Sequence, residues 1–210
     1  YVVPVHKKGS RLDMRNYRPI SLLSNLDKIF EKVFFSRIYN FMDVNKCIYE
    51  HQFGFRKNYS TNHAMISITE TIRTALDAGK LACGVFVDLH KAFDTVNQTI
   101  LVQKLDCYGV RGVPNAWLQS YLSNRKQFVS ILGHSSKPVN IKYGVPQGSV
   151  LGPLLFLVYI NDLHRCIHSC YIHHYADDTN LLCIASSVKA LNKNMNKDLQ
   201  AIDDWLSTLV

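Results

Sequence analysis

The feature that most constrains this chain is where it keeps three carboxylates. The run Cys83-Gly84-Val85-Phe86-Val87-Asp88-Leu89 is rich in β-branched and aromatic residues and reads as a buried strand, yet an acid stands near its end at Asp88. Farther on, Tyr171 to Ala185 reads as two strands around a tight Ala176-Asp177-Asp178 turn, with apolar pairs Tyr171-Ile172 and Leu181-Leu182 on either side. Carboxylates crowded at a sheet edge repel one another unless something positive sits between them. A pair of divalent metals meets that need, because Mg²⁺ prefers hard oxygen ligands. Two such ions about 4 Å apart suit an in-line phosphoryl transfer. Each acidic site alone also has a plain structural reading: Asp88 capping the helix that follows, and Asp177-Asp178 as a solvated turn.

The rest of the chain predicts helices around these strands. From Ser24 to Met42 the residues Leu26, Ile29, Phe30, Val33, Phe34, Ile38 and Phe41 recur at helical spacing. After a glycine-containing loop, His51 to Tyr59, Ser60 or Thr61 caps a helix that runs to about Ala78 and ends at Gly79. A second runs from about Thr99 to Tyr108 and stops at Gly109, and short segments between Gln127 and Tyr143 suggest a hairpin with Gly133 and Pro138. Gly144 to Gly152 is a loop leading into a helix that ends near Leu163. The last helix carries Val188, Leu191, Met195, Leu199, Ile202, Leu206 and Leu209 on one stripe, a core face. The first segment, Tyr1 to Asn16, is basic and ends in a loop-like run. Helices alternating with a few strands argue for an α+β fold whose sheet is covered on one face.

Lys plus Arg number 24 against 16 Asp plus Glu, a formal charge of +8 that suits a polyanionic partner. The six cysteines are irregularly spaced in a chain too large to need staples, and read as reduced thiols of an intracellular protein. The longest apolar stretch, Val150 to Ile160, is too short to span a bilayer, so no membrane partner is expected. His164, Cys166, His168, Cys170, His173 and His174 crowd together but lack the paired spacing of a structural zinc module, and read as packing or surface residues.

Five ordered motifs then carry a resemblance. Phe86-Val87-Asp88-Leu89-His90-Lys91-Ala92-Phe93-Asp94 resembles the reverse transcriptase palm motif that supplies the first metal-binding aspartate, and Tyr175-Ala176-Asp177-Asp178 is similar to the aspartate-pair hairpin of that family. Gly144-Val145-Pro146-Gln147-Gly148-Ser149-Val150-Leu151-Gly152-Pro153 resembles the segment that holds template–primer and incoming nucleotide. Asn16-Tyr17-Arg18-Pro19-Ile20-Ser21 and Gln52-Phe53-Gly54-Phe55-Arg56 resemble fingers motifs. The wording looks most like the non-LTR, jockey-like retrotransposons of animals. His90 departs from it, where relatives usually carry a small polar residue, as does Gln98, where they usually carry His.

The resemblance implies a right-hand polymerase: fingers over roughly 1–80 and 111–140, palm over roughly 81–110 and 141–210, an antiparallel palm sheet backed by helices, and the thumb absent. It implies RNA-directed DNA synthesis, with dNTPs, an RNA template, a DNA primer and two Mg²⁺ ions, or Mn²⁺ in their place. Asp88, Asp177 and Asp178 are the implied metal site, with the Leu89 carbonyl. Phe93 is the implied sugar gate, excluding a 2′-hydroxyl by bulk. Arg18 and Lys8 (or Lys7) would hold the triphosphate, Gln147 the incoming sugar, and the Ala92 amide would face the triphosphate. Arg56, Gly144 and Gly148 would meet nucleic acid. Endonuclease and thumb regions are expected in the full-length protein, at home in nucleus and cytoplasm. Two other readings compete. An RNA-dependent RNA polymerase would carry Gly-Asp-Asp and a smaller or polar residue near Phe93, and an inactive retroelement relic or domesticated nucleic-acid binder would show damaged carboxylates. Asp88, Asp177 and Asp178 are all intact.

Overall fold

The computed structural model describes residues 1–89 and 91–209; His90, noted above as a departure, and Val210 lie outside the described residues. In chain order the elements are β1 (Val2–His6), β2 (Tyr17–Ser21), α1 (Asn25–Val44), α2 (Thr61–Asp77), β3 (Leu81–Asp88), α3 (Gln98–Cys107) and α4 (Val113–Leu122). There follow β4 (Lys126–Gln127), β5 (Ser130–Ile131), β6 (His134–Ser135), β7 (Val139–Asn140), α5 (Gly152–Ile160), β8 (Cys170–Tyr175), β9 (Asp178–Ala185) and α6 (Val188–Ser207). Among the described residues the named strands pair antiparallel to one another. The chain divides into two compact units, Tyr1–Asn45 with Phe93–Tyr159 and Lys46–Ala92 with Ile160–Val210.

In the first unit β1 and β2 form a hairpin that the sequence pattern did not announce. Its strands carry Pro4 and Pro19, residues that argue against a strand because they lack an amide donor; here they lie opposite each other in a two-stranded ribbon. Helix α4 was not foreseen either. Gly112 and Pro114 look like breakers, but they stand at its start, where proline's missing N–H costs nothing. The predicted hairpin is present as β4 with β7 enclosing β5 with β6. Helix α1 starts on a capping box between Ser24 and Asp27. It buries Ile38, Tyr39 and Met42 while leaving Leu26, Ile29, Phe30 and Val33 exposed. The buried polar residue is Glu31, which accepts hydrogen bonds from the Tyr121 hydroxyl and the Val150 amide, both at 2.6 Å. Helix α5 is buried on all sides from Leu154 to Ile160, as its unbroken apolar sequence requires.

The second unit is built on the sheet β3–β9–β8. One face packs against α6 through Ile172, Leu181, Cys183, Leu191, Met195 and Ile202, joined by Val85 and Val87. Strand β3 is therefore not the fully buried strand expected from its composition. It is an edge strand, residues alternate between its faces, and Phe86 on the face away from α6 is 80% exposed. Asp198, on the sheet side of α6, is completely buried and accepts from the amides of His168, Ser169 and Cys170 at 3.3, 2.8 and 2.7 Å.

The histidine-rich segment packs as aromatic and polar filler. The His164 ring stacks on Tyr49 with centroids 4.1 Å apart, His173 Nε2 shares a hydrogen bond with Ser67 Oγ, and His174 Nδ1 shares one with Thr179 Oγ1. Burial, helped by the neighbouring His51, pushes His173 down to about 4. Burial, then His164 and His173, pushes His174 down to about 3. All six cysteines are free thiols.

Candidate active site

The site is assembled at one end of the second unit's sheet. Tyr175 pairs with Asp178 across the β8–β9 hairpin, which leaves Ala176 and Asp177 as the turn. On the other side of β9, Asp178 lies directly opposite Asp88. Cross-strand partners stand about 5 Å apart at Cβ, so the register alone sets two carboxylates side by side, with Asp177 adjacent in sequence. Asp88 and Asp178 are exposed and Asp177 is half-buried. Among the described residues no hydrogen-bond donor or basic side chain pairs with any of the three carboxylates. Partial burial raises the pKa of Asp178, and the negative charges of Asp177 and Asp88 raise it further. Three hard oxygen donors with uncompensated charge at an accessible sheet end match the chemistry a divalent cation requires. Among the described residues, though, no three His, Cys, Asp or Glu side chains converge in a ready-made metal cluster.

The turn is braced by a segment far away in sequence. The Phe53 amide donates to the His174 carbonyl at 2.8 Å and the His174 amide to the His51 carbonyl at 2.9 Å, so His51–Phe53 runs alongside β8. The buried Gln52 side chain reaches the turn itself. Its Oε1 accepts from the amides of Gly54 and Ala176 at 2.8 and 3.0 Å, and its Nε2 donates to the Ala176 carbonyl at 3.4 Å. Gly54 packs so tightly there that an added Cβ would fall 2.1 Å from the Ala176 nitrogen. Arg56, expected on template backbone, has Nη1 donating to the carbonyls of Tyr49 and Gln52, and its guanidinium lies 4.2 Å from the centre of the Tyr59 ring. It holds the loop that carries Gln52.

Just beyond β3, the Ala92 amide donates to the Leu89 carbonyl at 3.2 Å. The two backbone groups expected on triphosphate and metal are here each other's partners.

The first unit brings together a second group of the expected residues. Phe93 is half-buried and stacks on Phe156 of α5, with ring centroids 4.8 Å apart. The Val145 amide donates to the Phe93 carbonyl at 2.8 Å, and Gln147 Nε2 donates to Asp94 Oδ1 at 2.9 Å, which fixes the orientation of the Gln147 amide. The Gln147 carbonyl accepts from the Ser21 amide at 2.7 Å, joining this loop to the end of β2, the strand that carries Arg18. Arg18 and Lys8 are exposed. Gly144 and Gly148 take φ of +88° and +100°, a conformation side chains rarely adopt. The close approaches they permit are within the protein: Gly144 is buried against Asp94 and Phe93, and Gly148 lies against the Ser21 carbonyl. Asp94, Gln52 and Arg56 thus have bracing roles that sequence reasoning missed. All three stand inside the quoted motifs, but nothing in their spacing shows which partners they reach.

A family model described as reverse transcriptase (RNA-dependent DNA polymerase) matches residues 5–209. The chain belongs to the reverse transcriptase family. Its relatives include the RNA-directed DNA polymerase from the mobile element jockey of Drosophila melanogaster, 34% identical over 97% of this chain and 23% of that protein. The probable RNA-directed DNA polymerase from transposon BS of the same fly is 33% identical over the same shares. That from transposon X-element is 36% identical over 83% of this chain and 20% of its own length. The chain therefore spans less than a quarter of the length of these relatives. Among solved structures, apo telomerase from Candida tropicalis superposes with a TM-score of 0.56 at 15% identity, over 87% of this chain and 44% of that one. The fold of this reverse transcriptase domain is thus a polymerase fold of mixed helix and antiparallel sheet. No helix among its described residues is long and apolar enough to cross a membrane.

Proposed function

We propose that this domain is the catalytic core of an RNA-directed DNA polymerase of a mobile element, adding dNTPs to a primer 3′-hydroxyl on an RNA template. The observation that carries the reading is the register that sets Asp88 opposite Asp178, with Asp177 in the turn, and no counter-charge paired with them among the described residues. In the reaction the primer oxygen bonds to the α-phosphorus as the bond to the bridging oxygen breaks and pyrophosphate leaves. Asp88, Asp177 and Asp178, with the Leu89 carbonyl, would hold two Mg²⁺ or Mn²⁺ ions. When bound, such ions supply activation of the attacking hydroxyl and neutralisation of triphosphate charge. The Leu89 carbonyl keeps a second lone pair for a cation, whereas the Ala92 amide meets the triphosphate only by leaving Leu89.

The residues of the first unit take the nucleotide-binding roles in this proposal. Arg18 binds phosphate oxygens bidentately and Lys8 acts as a point charge. Gln147, oriented by Asp94, sits beside the sugar. Phe93, stacked on Phe156, meets the 2′ position with a flat, bulky ring. Arg56, Gly144 and Gly148 border nucleic acid through the backbone they shape. In the same reading residues 1–80 and 111–140 are fingers, 81–110 and 141–210 are palm, and thumb and endonuclease lie elsewhere in a longer protein that works in nucleus and cytoplasm.

Single-nucleotide incorporation on a poly(rA) template with an oligo(dT) primer and Mg²⁺ tests this. Asp88→Asn is expected to lower the rate on the order of a thousandfold, the scale of losing a charge-stabilising group in the transition state. Template binding that persists while the parent itself fails to incorporate dTTP would favour a nucleic-acid-binding relic. Phe93→Val is expected to admit rUTP; unchanged sugar selectivity would remove Phe93 from the gate.

A further inference from the structure

Ala176 is the point of tension in the catalytic hairpin. It is an alanine at a φ of +58°, buried, at the first position of a two-residue turn where glycine, asparagine or aspartate ordinarily stands. Left-handed backbone costs a residue with a Cβ on the order of 1 kcal/mol, and persists where its surroundings over-determine it. Here the surroundings include the close-packed Gly54 backbone, and one side chain takes up the polar groups. Gln52 accepts from the Ala176 amide and donates to the Ala176 carbonyl, so both polar groups of the strained residue end on a single amide. The same Oε1 accepts from Gly54, whose missing Cβ lets the two backbones close up. Gln52 is itself held by its neighbours: the Phe53 amide and the His51 carbonyl pair with His174, and Arg56 donates to the Gln52 carbonyl.

We infer that Gln52 is a positioning residue, which holds the Ala176 turn in its left-handed form and thereby aims Asp177 for divalent-cation binding. This rests on the proposed catalytic reading of Asp177. Gln52 touches no reacting atom. It acts through the peptide that precedes Asp177, so its loss should loosen the turn while the strands stay paired.

The test uses the 210-residue chain with Gln52→Met, which keeps length but removes the acceptor, and Gln52→Glu, which keeps an acceptor for both amides. Hydrogen exchange is read at the Ala176 amide and, for comparison, at Cys183 within β9; Mn²⁺ affinity is read by water-proton relaxation. In Gln52→Met the Ala176 amide should exchange about tenfold faster and Mn²⁺ should bind about tenfold more weakly, the scale of one lost hydrogen bond, with Cys183 unchanged. Gln52→Glu should restore slow exchange at Ala176. Unchanged exchange at Ala176 in Gln52→Met, or equal loss of protection at Ala176 and Cys183, would overturn the assignment, the second because it marks general unfolding. Equal Mn²⁺ affinity in the parent and in Asp177→Asn would instead sink the catalytic reading, and the exchange arm would still decide whether Gln52 holds the turn.

Discussion

Asp198 and the Asp88–Asp177–Asp178 group belong to the same unit, and the fold treats them in opposite ways. Asp198 is fully buried and its two oxygens receive three backbone amides from the segment entering β8. At the end of the sheet, Asp88 and Asp178 face each other across β9 and β3 with no such donors among the described residues, and the pKa of Asp178 is raised. Glu31 in the first unit follows the Asp198 pattern, buried and taken up by a hydroxyl and an amide. Burying a charge is costly unless it is paired and hydrogen-bonded, so full satisfaction marks a structural acid. A cluster left unsatisfied and repelling itself is where the proposed reading puts a cation.

The contrast is broken most severely from the structural side. Asp198→Ala leaves three amides without their acceptor and should lower stability by on the order of 3 kcal/mol. Urea denaturation measures this, and a variant as stable as its parent would remove the distinction.

A smaller effect comes from the histidines beside the site. His173 and His174 are held neutral in the fold, near 4 and 3 rather than 6.5, and each leaves one ring nitrogen without a partner, Nδ1 and Nε2 respectively. The unfolded chain binds protons that the fold refuses. Their contribution is therefore present above pH 6.5 and lost as pH falls through the folded values, with a slope approaching about 1.4 kcal/mol per pH unit for each histidine. Denaturation midpoints at pH 7 and pH 5 should differ, and His174→Gln should flatten the dependence. An equally steep dependence in that variant would exclude His174 as its source.

The smallest effect has the opposite sign. Because folding raises the pKa of Asp178 above 3.8, its charge disfavours the folded state above that folded pKa, and the disadvantage disappears below 3.8. Asp178→Asn should therefore melt slightly higher than the parent at neutral pH and no higher in strong acid. A drop in melting temperature at neutral pH would mean that Asp178 is a structural acid after all.

How much of this was legible beforehand depends on the range of the interaction. Helical spacing marks α1 and α6, a cap and a terminal glycine mark α2, and the apolar pairs flanking Ala176-Asp177-Asp178 mark the β8–β9 hairpin, because these are local patterns. The strand pair holding Pro4 opposite Pro19 was hidden by residues that usually veto strands. In α1, spacing located the helix but not its buried side: Leu26, Ile29 and Phe30 are exposed while Glu31 is covered. Helical spacing puts Asp198 on the apolar stripe of α6, three residues after Met195 and four before Ile202, and leaves Asp203 and Asp204 off it, but only the incoming segment at His168–Cys170 shows what takes the buried acid up. The same holds for Gln52, whose partner Ala176 lies 124 residues away. Candidate chemistry could be read from residue types and motif order; what braces it could not.

One measurement tests the central claim, that the unsatisfied carboxylates exist for chemistry and not for folding. It takes Asp177→Asn and determines thermal stability and Mg²⁺-dependent dTTP incorporation on the same preparation. The account predicts a melting temperature at or above that of the parent together with loss of incorporation on the order of a thousandfold. Incorporation that survives in this variant, or that falls only in step with a lowered melting temperature, would contradict it.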